Sequence, residues 1–382
     1  TYCKKENQMD SLVEFEYLGT DEAIAVARMV REKPLNSLLL DTVNQLAEKI
    51  YAWLDDDNIA CIILDSSSEK AFCAGADITA LYHSIKESAG ADYPYAESFF
   101  LNEYKLDYAI HTATKPVIAW GNGIVMGGGL GLLGGCSHRV GTPATRIAMP
   151  EITIGLFPDA GGTYFLSKLP DHLGIFAGLT GCMLSSGDAI ALDLLDVVVA
   201  QGDKQAITAK LAKQSWTHDP ALNAKTITHI LSGFAVGETL PTNLMSHREV
   251  ISEFIQSCLD AKNFFDAFDS GLSALLVDEW FAGAVVTYQR GSPTTARIFF
   301  EQLRRSKGMS LEEMFQMELV IAYQCIRHPE FLEGVRALLV DKDKNPAWVY
   351  PSAADVPEEY LDEHFQPVWE GLHPLSELGR NG

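Results

Sequence analysis

The chain has 382 residues, 47% hydrophobic and 21% charged, which excludes a disordered polymer and suits one large domain or two ordinary ones. Its 51 acidic against 29 basic residues give a formal charge of −22, a field that repels nucleic acid and anionic membrane surfaces, so neither is expected as a partner. No apolar run approaches the roughly 18 residues that cross a bilayer, and seven scattered cysteines without CxxC or CxC spacing point to no metal site and to a reducing, cytoplasm-like compartment.

Residues 1–11 are polar and lack the apolar centre of a secretory signal, so they read as a short leader. Residues 13–18 and 23–29 alternate apolar and polar positions across the turn GTDE, which predicts a β-hairpin. REKPLNSL breaks that pattern at Pro34. Asp41 is placed to N-cap a helix with Val43, Leu46, Ile50 and Trp53 on one face. CIILD (61–65) and PVIAW (116–120) are short apolar strands of the buried kind. Between them lie AFCAGADI and a helical stretch over 94–112. The alternation predicts ββα or βαβ units stacked into a layered α/β core, with 193–200 as its last strand. From about residue 203 strand signals stop, and amphipathic helices are expected at 249–261, 310–327 and 330–339. A boundary near 202 therefore separates an α/β core over 12–202 from a helical region over 203–382.

Two glycine-framed segments carry the first chemical signal. Gly127, Gly128, Gly129 and Gly131 strip side chains from the backbone, so a substrate can meet N–H groups directly. If a helix starts there, those groups are unpaired and can hold an oxyanion. Close helix packing is the competing explanation. The pattern GxGxxG from Gly129 to Gly134 is not a dinucleotide site, because it does not follow the first strand of a βαβ unit. Ala74, Gly75 and Ala76 form a second small-residue turn, followed by Asp77 as a helix cap. Two N–H sources converging on one oxygen suit acyl chemistry.

The second signal is acidic. Glu151 and Asp159 stand alone in an apolar loop punctuated by glycine and proline, AMPEITIGLFPDAGGTYFL. A desolvated carboxyl group there has a raised pKa and can act as base, acid or nucleophile. Asp159 could also be the N-cap of the helix that follows. Glu103 lies on a helix face with Phe99, Phe100 and Tyr104 and has no role assigned by periodicity. His111 and His138 read as core or capping residues.

These segments, REKPLNSL, KAFCAGADI, KPVIAWGNGIVMGGGLGL and AMPEITIGLFPDAGGTYFL, resemble the enoyl-CoA hydratase/isomerase, or crotonase, superfamily over about residues 12–200. The resemblance implies a crotonase-type spiral of ββα units and an acyl-CoA substrate. It also implies an oxyanion hole made by the N–H groups of Ala76 and Gly128, with Gly127 beside the substrate. Coenzyme A enters only as part of that substrate, and no other cofactor is implied. Ala74 faces the coenzyme in this reading. Lys33 and Lys70 are the nearest cations for its phosphates, unless they are ordinary surface lysines. Members of the superfamily commonly form homo-oligomers.

A departure narrows the reading. Hydratases of this type carry a glutamate closing the glycine-rich segment and another in the later proline–glutamate pair. Here the second is Glu151 and the first position is Gly131, which cannot carry a proton. Glu151, Asp159, Gly131 and the block 310–348 together resemble the 3-hydroxyisobutyryl-CoA hydrolases, which act in valine degradation. That resemblance brings Glu103 into the substrate site. It implies hydrolysis of a short branched 3-hydroxyacyl-CoA thioester, with Glu151 attacking or activating water and Asp159 managing protons. Two other readings stay open: double-bond chemistry on an enoyl-CoA through Glu151, and a non-catalytic acyl-CoA-binding module.

Overall fold

A computed structural model describes residues 12–88, 92–276 and 278–379; the expected leader lies outside them. Strands β1 (Val13–Leu18) and β2 (Ile24–Met29) form the antiparallel hairpin, with Val13 opposite Met29. Helix α1 (Leu40–Asp55) follows and buries Val43, Leu46, Ile50 and Trp53. Each of these side chains contributes about 1.5–3 kcal/mol of apolar burial. The cap differs from expectation. Leu39 is the N-cap residue and donates its N–H to Thr42 Oγ1, while Asp41 sits exposed inside the first turn. An acid there still favours the helix through its dipole.

Three ββ units then repeat the same step. β3 (Cys61–Ser66) precedes β4 (Ala71–Cys73), β5 (Val117–Gly121) precedes β6 (Ile124–Met126), and β7 (His138–Gly141) precedes β8 (Arg146–Ala148). The first strand of each unit joins a six-stranded sheet, and the second joins a four-stranded one. Helices α2 (Ile78–Glu87) and α3 (Pro94–His111) lie between the first two units, and α4 (Gly128–Gly134) lies between the second and third. β9 (Leu184–Ser185) closes the small sheet and β10 (Val197–Val198) the large one. The last strand is thus two residues long, shorter than the apolar run 193–200 suggests, because Asp193 is a turn residue at φ +57° and Asp196 pairs with Arg139.

Within the described residues the chain after Val198 has no further named strand. Helices Arg248–Leu259 and Leu311–Cys325 match the amphipathic segments. The segment expected over 330–339 divides into a helix, Pro329–Val335, and a π turn, Arg336–Val340. One apolar cluster runs from Val13 to Leu375, so the C-terminal helices share the core of the sheets. Six cysteines are buried and unpaired among the described residues, and no helix there is long and apolar enough to cross a membrane.

Candidate active site

β4, β6 and β8 are adjacent and parallel, so their carboxyl ends open on the same edge of the small sheet. Ala74 to Ala76 follow β4, Gly127 and Gly128 follow β6, and Pro150 and Glu151 follow β8. All of these, with Met126 at the end of β6, meet Glu103 of α3 and Asp159 around one cavity of about 150 Å³. Leu338 and Leu339, from the C-terminal π turn, close its far wall.

The REKPLNSL loop explains the position of Ala76. Ala74 N–H donates to Leu35 O (3.1 Å), Leu38 N–H to Gly75 O (2.8 Å) and Asp77 N–H to Leu38 O (2.8 Å). Arg31 adds an ion pair to Asp77 at 2.7 Å, and Asn36 Nδ2 donates to Ser66 Oγ (2.7 Å) and Phe72 O (3.2 Å). Held on both sides, the Ala76 N–H has no acceptor among the described residues, and neither does that of Gly128 at the start of α4. A Cβ at position 128 would lie 2.1 Å from Glu103 Oε1, so a side chain there would displace the Glu103 carboxyl from the cavity.

The acids are withdrawn from water. Glu103 is 1% exposed, Glu151 5% and Asp159 4%. Glu151 begins a short 3₁₀ turn, Glu151–Ile154, and its Oε2 has no partner; Glu103 Oε1 has none either. Burial, and then the charge of Asp159, push both glutamates well above the ordinary carboxyl range. Asp159 is raised to about 6 by burial, and is held there by Tyr104, whose O–H donates to Asp159 Oδ2 at 2.7 Å. The site therefore contains one more readily ionised carboxyl beside two that resist ionisation. The alternative role of Asp159 as a helix N-cap does not hold, since Gly161 caps helix α5 (Gly162–Ser167) and the Asp159 side chain is taken by Tyr104.

Two residues behind the cavity were silent in the sequence. Asp107, one turn beyond Glu103, is 1% exposed and both its carboxyl oxygens lack partners. Glu318, from the helix Leu311–Cys325, is fully buried and bonds the turn after Asp159. The only signal for either is an acid at an apolar helical register, which a solvated face explains equally well. The positions named for phosphate contact, Lys33 and Lys70, are exposed and do not line the cavity. His138 is buried in β7 between Ser137 and Thr228, away from the acids.

A family model described as enoyl-CoA hydratase/isomerase matches residues 24–365. The chain belongs to that family. Among curated members, 3-hydroxyisobutyryl-CoA hydrolase, mitochondrial, of Danio rerio is 33% identical, over 94% of this chain and 91% of that protein. The protein of the same name from Gallus gallus is 32% identical, over 88% and 85%. Among solved structures, a carnitinyl-CoA dehydratase from Mycobacterium thermoresistibile superposes with a TM-score of 0.81 at 31% identity, over 94% of this chain and 97% of that one. An enoyl-CoA hydratase from Rhodobacter sphaeroides gives 0.78 at 26%, over 94% and 98%. Both structural matches extend over the C-terminal helices as well as the sheets, each covering 94% of this chain.

Proposed function

We propose that this family member hydrolyses a short branched 3-hydroxyacyl-CoA thioester, 3-hydroxyisobutyryl-CoA foremost, to the free hydroxy acid and CoA. The observation that carries the reading is the pairing of two free N–H donors, Ala76 and Gly128, with Glu151 and Asp159 around one small cavity. The names of the curated relatives point the same way.

The thioester oxygen takes hydrogen bonds from the Ala76 and Gly128 N–H groups, which stabilise the negative charge that grows there in the transition state. Glu151 brings oxygen to the carbonyl carbon, through its own carboxylate or through a water that it deprotonates. The C–S bond then breaks and the thiolate leaves as CoA, taking up a proton that Asp159 relays. On the water route the free acid forms at once; on the carboxylate route a Glu151 acyl anhydride forms that a water then cleaves to the hydroxy acid and Glu151. Glu103 holds the substrate from the α3 side, and Gly127 lets it pass close to the backbone. Ala74 flanks the entry of the coenzyme arm. Lys33 and Lys70 reach a bound phosphate only from outside the cavity. Because the acids ionise late, turnover rises with pH through an acid limb.

Double-bond chemistry is the second reading, favoured by the dehydratase and hydratase names of the two full-length structural matches. One experiment separates them. Acyl-CoA thioesters are offered as a panel, with free thiol and enoyl absorbance read in parallel. Thiol release from 3-hydroxyisobutyryl-CoA is expected, and its absence with enoyl turnover present sinks the hydrolase reading. Glu151→Gln should lower kcat by about 10²–10⁴-fold with acyl-CoA binding retained in calorimetry; unchanged turnover would remove Glu151 from the chemistry.

A further inference from the structure

Asp159 sits in a strained turn that closes on one backbone bond of its own, Gly162 N–H to Asp159 O at 2.7 Å. Ala160 has φ +52° and Gly161 φ +84°, and a non-glycine residue in that region costs about 1–3 kcal/mol. Further support comes from the far end of the chain. Glu318 Oε1 accepts the N–H of Thr163 at 2.9 Å and its Oγ1–H at 2.5 Å, while Oε2 accepts the Gly161 N–H at 2.9 Å. Gln302, on the helix Pro293–Arg305, donates to Pro158 O at 2.9 Å and also to Thr163 Oγ1. Both flanks of Asp159 are therefore clamped by two C-terminal helices.

A carboxyl group is an expensive way to make those bonds. Glu318 is 0% exposed, and its burial raises its pKa to about 7 against the three donors that lower it. The charged groups around it are all acids: Asp159 on the clamped turn, and Glu103 and Asp107 on α3, with the Tyr104 hydroxyl between. Only a carboxylate offers acceptors at both oxygens. A glutamine would turn an N–H₂ toward one of the donors it must meet.

We propose that Glu318 is a positioning residue for the reaction: it fixes the Pro158–Thr163 turn so that Asp159 keeps its place against the thioester. The helical C-terminal region is then a working part of the active site, beyond the wall that Leu338 and Leu339 supply. This inference rests on the reading of Asp159 as a catalytic group.

The test is a double-mutant cycle on the full chain with Glu318→Gln, Asp159→Asn and the double variant, each checked by thermal unfolding. A displacement of about 1 Å at a reacting group costs about 10²-fold, so Glu318→Gln should lower kcat by that order with KM little changed. In the Asp159→Asn background the same substitution should change kcat by no more than about twofold, because the group it positions is gone. An equal loss in both backgrounds overturns the proposal, as does wild-type kcat for Glu318→Gln. If Glu318→Gln does not fold, Thr163→Val, which removes only the hydroxyl bond, goes through the same cycle with the same criteria. If the wild type releases no thiol, the hydrolase reading fails by itself. The cycle is then run on enoyl-CoA turnover, where wild-type kcat for Asp159→Asn would overturn the positioning claim.

Discussion

Replacing Gly131 by glutamate would restore the carboxyl that two-glutamate hydratases keep at that place, and the structure states what stands in its way. A Cβ on residue 131 would lie 2.7 Å from Asp107 Oδ2, 2.8 Å from the Ala160 carbonyl oxygen and 2.9 Å from Ala160 Cβ. The Asp107 carboxyl could swing aside, but the other two atoms belong to the turn that carries Asp159. The first carbon of the new side chain therefore presses on that turn before any carboxyl reaches the cavity. Overpacking of this kind costs about 1–3 kcal/mol of stability, and shifting Asp159 by about 1 Å costs about 10²-fold in kcat. Gly131→Ala and Gly131→Glu should thus show similar losses of thiol release and similar falls in Tm. Neither should gain hydratase activity, followed as enoyl absorbance. Wild-type Tm and kcat in Gly131→Ala would refute this clash. So would a Gly131→Glu variant that hydrates an enoyl-CoA as fast as the wild type releases thiol, since the missing glutamate would then decide the reaction unaided.

Two further outcomes follow from the buried acids. The Tyr104 hydroxyl lowers the pKa of Asp159 from the value that burial alone would impose, so Tyr104→Phe should move the acid limb of kcat/KM to higher pH. A profile whose limb stays in place removes Tyr104 from control of Asp159. Asp107 is pushed well above the ordinary carboxyl range by burial, then by the charges of Asp159 and Glu318. Below the unfolded pKa of about 3.9 both folded and unfolded chains hold the proton, and nothing is lost. As pH rises beyond it the unfolded chain ionises while the folded one does not, so stability falls until the folded pKa is passed. Asp107→Asn cannot ionise and should unfold at higher temperature than wild type near pH 7. That advantage should shrink toward pH 4; a pH-independent difference would contradict the linkage.

Much of this protein was fixed locally. Alternation set β1 and β2, an unbroken apolar run set β3, and one apolar face set α1, because burial of side chains at periods of 2 and 3.6 is what selects those elements. The glycines at 127–129 and the isolated acids Glu151 and Asp159 were also visible, since each departs from its apolar surroundings and needs a reason to be there. Tertiary structure decided which of them meet. Three loops converge because β4, β6 and β8 are parallel neighbours, a pairing between segments about 50 and 20 residues apart that no local pattern encodes. Glu103 and Asp107 look like solvated helix positions until α3 is packed against α4. Glu318 bonds a turn 155 residues away, and its role exists only once the C-terminal helices close on the core. The sequence likewise offered Gly131 as an absence, a carboxyl not present. The fold supplies the physical reason: Asp107 and Ala160 already fill the space that a side chain there would need.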